Sequence, residues 1–189
     1  MPWSQLHWCA FRNDVHGIQK LTKNPGCCRR PIQPDKRDLA GVTPLHVACN
    51  HGQCHAVQAL LDAGADATAV TKEVDIEGAG PSGGETALHW VVKLRYTPDE
   101  QLRVHDMRNE GHNGHTMAGR LLLKQGADAN AKSKTTGRTA LHGAIENGWD
   151  ELVKVLLFEG GADANIPGVF SGSTAELGAW ISDRSRCIA

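Results

Sequence analysis

Between Gly137 and Asn165 the apolar positions fall into two short runs at helical spacing, each closed by glycine. In the first, Thr139-Ala140-Leu141-His142-Gly143-Ala144-Ile145-Glu146-Asn147, a threonine stands where its hydroxyl can accept a free amide of the opening turn. Gly148 then supplies the left-handed residue that ends the helix. In the second, Asp150 is placed to cap a helix and Glu151 lies beside its positive end, while Val153, Leu156 and Leu157 share one face. Gly160 and Gly161 stop it, and Ala162-Asp163-Ala164-Asn165 is a polar turn leading away. Two helices of about ten residues are marginal in water on their own. The unit therefore requires neighbours of its own kind.

The chain supplies them. Thr43-Pro44-Leu45-His46-Val47-Ala48-Cys49-Asn50-His51-Gly52 repeats the opening, and Ala56, Val57, Leu60, Leu61 and Gly64-Ala65-Asp66-Ala67 repeat the rest. Thr86-Ala87-Leu88-His89-Trp90-Val91-Val92 opens a further copy, which Leu121-Leu122-Leu123 and Gly126-Ala127-Asp128-Ala129-Asn130 complete. Two weaker copies flank these. Leu6-His7-Trp8-Cys9-Ala10 aligns with Leu45 to Cys49, Asn13 takes the place of Gly52, and Ile18 and Leu21 match Val57 and Leu60. At the other end Gly172-Ser173-Thr174-Ala175 starts an opening in which Trp180 falls where Ile145 falls.

This pattern resembles the ankyrin repeat, whose opening is Thr-Pro-Leu-His-x-Ala and whose period is about 33 residues. The resemblance implies an all-α solenoid of stacked helix–turn–helix units joined by finger-like turns, forming a single ankyrin-repeat domain over residues 4–189. Its units run over about 4–26 (partial), 39–67, 84–130, 137–165 and 172–189 (a partial cap). In the family, the threonine and histidine of the opening hold the first turn by hydrogen bonding and the leucine packs inward. That role carries to Thr43, Leu45 and His46, to Thr86, Leu88 and His89, and to Thr139, Leu141 and His142. His7 keeps the imidazole, with Ser4 where threonine is expected. Leu60, Leu61, Leu122, Leu123, Leu156 and Leu157 should fill the layer between repeats, each contributing about 1.5–3 kcal/mol when buried.

The spacing departs from the period. Thr43 and Thr86 are 43 positions apart, and Thr86 and Thr139 are 53 apart. The first excess, Thr68 to Gly84, carries Glu73, Asp75, Glu77 and the run Gly78-Ala79-Gly80-Pro81-Ser82-Gly83-Gly84, and predicts an extended, mobile finger. The second is an insertion over 96–115. Tyr96-Thr97-Pro98-Asp99-Glu100 has the form of a helix start and Asn109-Glu110-Gly111-His112-Asn113-Gly114 that of a breaker, with the regular second helix resuming near His115. A smaller excess, Pro25 to Pro34, lies in a turn.

Composition adds mainly exclusions. The formal net charge is -1, which gives no general pull toward nucleic acid or anionic membrane. No apolar run reaches membrane-span length and no signal peptide is visible, so the expected compartment is the cytoplasm, with the nucleus second. The six cysteines show no pair of C-x-x-C units and read as free thiols. His105, His112 and His115 cluster in the insertion, and Cys49, Cys54, His51 and His55 form another group, but neither completes a zinc ligand set on a regular element. No hydrolase elbow, phosphate loop or zincin motif is present. The expectation is a non-enzyme with no cofactor and no metal.

The resemblance also implies where a partner binds. In ankyrin-repeat proteins the first helices and fingers line a concave face, and the residue after the motif histidine points into it, as do those three and four positions later. Here the rows are Trp8, Val47, Trp90 and Gly143; Phe11, Asn50, Lys93 and Glu146; and Arg12, His51, Leu94 and Asn147. Trp8 and Trp90 flanking Val47 would form an apolar patch, and tryptophan and arginine are enriched at binding hot spots. Trp149, at a helix–helix turn, is expected to pack locally. The expected function is a monomeric scaffold or adaptor binding a protein or peptide, with no nucleic acid and no membrane. Two rivals stand beside it: a regulatory module or fragment of a larger protein, and a metal sensor built on the insertion histidines.

Overall fold

Each described opening of the sequence forms a short inner helix and each described closing run an outer one. The computed structural model describes residues 3–23, 31–72, 74–76, 80–93 and 107–168, with backbone alone for 74–76, 80–82 and 107–112. The inner helices are α1 (Gln5–Phe11), α3 (Pro44–Asn50), α5 (Ala87–Val91) and α7 (Ala140–Glu146). The outer ones are α2 (Val15–Lys23), α4 (Cys54–Asp62), α6 (Met107–Lys124) and α8 (Asp150–Lys154). Inner helices pack on one another in chain order, and outer helices do the same, so each unit touches mainly its neighbours. The units 172–189 and the turn at 24–30 lie outside the described residues, as does the helix start expected at 96–100.

The core lies between the two layers. Leu6, Leu45, Leu88 and Leu141 from the inner helices are buried, and Ile18, Leu60, Leu61, Leu122, Leu152 and Leu156 meet them from the outer ones. Leu123 and Leu157 are only partly buried at its margin. Gly52 and Gly148 turn the chain between layers at φ 61° and 67°. Asn13 does so at φ 56°, and its side-chain oxygen accepts the Ala56 amide at 2.9 Å, tying the first unit to the second. Each Gly-Ala-Asp ending closes in the same way: Asp66, Asp128 and Asp163 accept the amide two residues on at 2.8 Å.

Three expectations change in detail. Asp150 begins α8 instead of capping it, because Trp149 N donates to Ala144 O at 2.9 Å and sets the turn one residue earlier. The Thr68–Gly84 finger is a hairpin where it is described, with β1 (Val74–Ile76) antiparallel to β2 (Gly80–Ser82). A bridge between Val70 and Thr86 continues it to the helices. The helix expected to resume near His115 begins at Met107 and runs through the supposed breaker. Gly114 belongs there for contact, since a Cβ at that position would lie 2.3 Å from the Gly52 carbonyl oxygen.

A fourth feature follows from a count. Leu60-Leu61 and Leu122-Leu123 are each followed by two residues before Gly-Ala-Asp, whereas Leu156-Leu157 is followed by three. The extra residue is absorbed as a π-helical segment, Val155–Glu159, continuing α8, and Phe158 is left 75% exposed.

Candidate protein-binding face

The inner helices are held by one device repeated four times. Thr43, Thr86 and Thr139 each donate their backbone N–H to the Nδ1 of the following histidine, at 3.3, 3.2 and 3.2 Å. Their hydroxyls lie 2.7, 2.8 and 2.9 Å from the same nitrogen. Ser4 serves His7 in the same way, at 3.3 and 2.7 Å, so the serine preserves the turn. The Thr43 hydroxyl also accepts a helix amide, His46 N at 3.4 Å, and all four N-caps form the capping box with their histidine.

With Nδ1 accepting, the proton resides on Nε2, which donates across to the next unit. His7 reaches Val42 O at 3.0 Å, His46 reaches Glu85 O at 3.3 Å and His89 reaches Arg138 O at 2.9 Å. Burial pushes all four imidazoles below their ordinary pKa, His46 to about 4. Neutral and fully engaged, these residues belong to the frame.

The frame presents the groove positions unequally. Trp8 is 48% exposed. Its ring meets Trp3 edge-on at 5.2 Å and Phe11 at 5.9 Å, and Phe11 in turn meets His51 at 4.7 Å. The Arg12 guanidinium lies over the Trp8 ring at 5.8 Å. Trp3 was absent from the expected set, and nothing in the repeat pattern marks it, because it precedes the first unit.

On α5, Trp90 is half-buried against His46 at 5.6 Å, and the Lys93 ammonium sits 5.1 Å from its centroid. Lys93 is also bonded to Glu85 at 2.7 Å. Asn50, the last residue of α3, is half-buried.

Val47 corrects the expected apolar patch. It is 2% exposed. Its helix lies between α1 and α5, and a short branched side chain in a row flanked by two indoles is covered by its neighbours. The patch is therefore two aromatic stations and not a continuous strip. Leu94 lies outside the described residues.

The same positions at α7 and its C-cap carry no ring and are engaged within the frame. The Val92 side chain is 2.7 Å from where a Gly143 Cβ would be. Asn147 donates to Val92 O at 2.7 Å, and Glu146 pairs with Arg138.

The groups considered for metal read differently in place. His105 and the His112 side chain lie outside the described residues. The His115 ring is tilted against Trp149 at 4.9 Å and faces Gly52, so it packs between units. Trp149 accordingly packs across units and is buried, not confined to its own turn. Cys49 is buried and its thiol is pushed far up by burial, which makes it a small hydrophobe.

Comparison with known proteins agrees with the frame. The family model described as ankyrin repeats, in three copies, matches residues 6–98 and 111–168. The mouse B-cell lymphoma 3 protein homolog is 34% identical over 142 residues, covering 75% of this chain and 26% of that protein. The NF-kappa-B inhibitor cactus of Drosophila melanogaster is 30% identical over 162 residues, covering 82% and 31%. The Arabidopsis thaliana E3 ubiquitin-protein ligase KEG is 26% identical over 172 residues, covering 84% and 10%. The chain thus spans a third or less of these relatives. The repeated Thr–His–carbonyl ladder, the two helical layers and the family match lead to one conclusion: the chain belongs to the ankyrin-repeat family.

Proposed function

We propose that the chain is a non-catalytic protein-binding module that holds its partner against the inner-helix face of its N-terminal half. The observation that carries this reading is Trp8, an indole 48% exposed at a groove position, within an aromatic group that includes Trp3, Phe11 and His51. The frame has no use for these rings in water. Rigid aromatics at such positions supply large contact area at low entropic cost. Trp90 adds a second station two helices away.

Several relatives are named for NF-kappa-B, as its inhibitor cactus or its p105 subunit. NF-kappa-B is therefore the first partner to try. The direct experiment is titration of the purified chain with an NF-kappa-B subunit, followed by affinity capture from the native host if that subunit does not bind. Capture that survives Trp8→Ala together with Trp90→Ala would remove this face from the account.

A second reading rests on coverage. Other relatives are named as a ubiquitin ligase and as protein kinases, and the chain matches 10–17% of their length. In that reading the repeats regulate or target an activity carried elsewhere in a longer protein. The genomic reading frame around this chain tests it: continuation into a second domain supports it, and stop codons bounding the repeats remove it.

A further inference from the structure

From the cation set on the Trp8 ring, we infer that the bound segment is an acidic and apolar peptide, with a carboxylate seated on Arg12 and a large apolar side chain on Trp8. The inference rests on the reading of the N-terminal face above and adds the chemistry of the partner.

Arg12 is exposed, one helical turn from Trp8, and lies over its ring at 5.8 Å. A stacked guanidinium is held by its face, which leaves the in-plane N–H groups along its edge as a fork for a carboxylate. Carboxylates in this half of the chain have partners of their own. Asp14 accepts the Gly17 amide at 2.8 Å, and Glu85 is bonded to Lys93 at 2.7 Å. Asp38 accepts the amides of Ala40 and Val42 at 2.9 Å each. Among the described residues Arg12 has no ion pair.

The finger beside this face repeats the bias. Lys36, Arg37 and Lys72 are exposed with Leu39 among them, while Asp35 accepts the Asp66 amide at 2.9 Å. Arg37 also donates to Val70 O at 2.7 Å, while Lys36, Lys72 and the apolar carbons of Leu39 face out.

The comparison between the two stations selects Arg12 as the anchor. Lys93 stands over Trp90 as Arg12 stands over Trp8, but Lys93 already has Glu85. A segment crossing from one indole to the other spans two inter-helix steps, about 16–20 Å. About six residues in extended form cover that distance. A peptide is favoured over nucleic acid because the net charge is -1 and the cations here are few.

The test is selection of a random twelve-residue peptide library on the full chain, with counter-selection on Trp8→Ala. Peptides that depend on Trp8 should carry net negative charge. Individual binders should weaken at least tenfold with Arg12→Gln and about as much on raising the salt to 0.5 M. Circular dichroism of each variant should match the parent, since both side chains are exposed.

Trp8-dependent peptides that are neutral or basic, or binders indifferent to Arg12→Gln, would overturn the acidic partner while leaving the binding face standing. A selection with no Trp8-dependent peptide would overturn both. A labelled single-stranded oligonucleotide, run in parallel, should not bind; binding tighter than the selected peptides would overturn the peptide in favour of nucleic acid.

Discussion

The N-terminal groove and the last described repeat occupy equivalent backbone positions and carry opposite kinds of side chain. In both, the histidine after the N-cap hydroxyl is buried and neutral. Yet the residue after that histidine is Trp8 in one and Gly143 in the other. The first stands 48% exposed with Arg12 on its face. The second lies where any Cβ would run into Val92. Its neighbours Glu146 and Asn147 are engaged by Arg138 and by Val92 O. Frame and surface are thus separable within each unit: the ladder is common property, and the proposed binding face falls only where the groove rows carry rings.

The largest test of that separation addresses the frame. Leu88→Ala and Leu141→Ala, both at buried positions, should each cost about 2–5 kcal/mol. A urea melt should show the loss in both halves alike.

Next comes acidification. The folded pKa of all four ladder histidines lies below that of an unfolded imidazole, about 6.5. Their contribution is therefore complete above about pH 6.5 and lost as pH falls through that value, because the unfolded chain takes up the proton first. For His46, whose folded value is about 4, the loss is on the order of 3 kcal/mol by pH 4. His46→Gln should flatten the fall in stability between pH 6.5 and 4; an unchanged profile would contradict the buried neutral ladder.

A smaller effect is expected from deleting Phe158. That deletion gives the last repeat the length of the others, so the π segment should revert to α-helix with a stability change under about 1 kcal/mol. The same deletion at Ala59, inside the regular helix α4, moves Leu60 and Leu61 off the core and should cost about 3 kcal/mol or more. Thermal melts separate the two cases.

Smallest of all is Glu146→Ala, which removes an exposed pair with Arg138. It should change stability by less than about 1 kcal/mol and leave partner capture intact.

Much of the frame was legible because it depends on local chemistry at fixed spacing. Thr-x-x-His, the closing Gly-Ala-Asp and the paired leucines each announce a hydrogen bond or a buried face. What escaped depends on contacts far apart in the chain. Gly111 and Gly114 read as a breaker, but Gly114 lies within α6 against Gly52, 62 positions earlier in the sequence. Val47 looks like a groove residue by position, but its helix is packed between α1 and α5 and the residue is buried. Trp3 carries no repeat signal and joins the candidate face by packing on His7, Trp8 and Phe11. The π segment is marked by the single extra residue before Gly161-Ala162-Asp163, which the paired Gly160 and Gly161 disguise as an ordinary helix stop.

The central claim is that the N-terminal rings bind and the C-terminal groove does not. Parallel affinity capture with the parent chain, with Trp8→Ala/Trp90→Ala and with Glu146→Ala/Asn147→Ala tests it most directly, with circular dichroism confirming that all three are folded. The account predicts that the tryptophan pair loses the partner, at least tenfold in yield, while the C-terminal pair retains it. Retention by the tryptophan pair, or loss by the C-terminal pair alone, would contradict it.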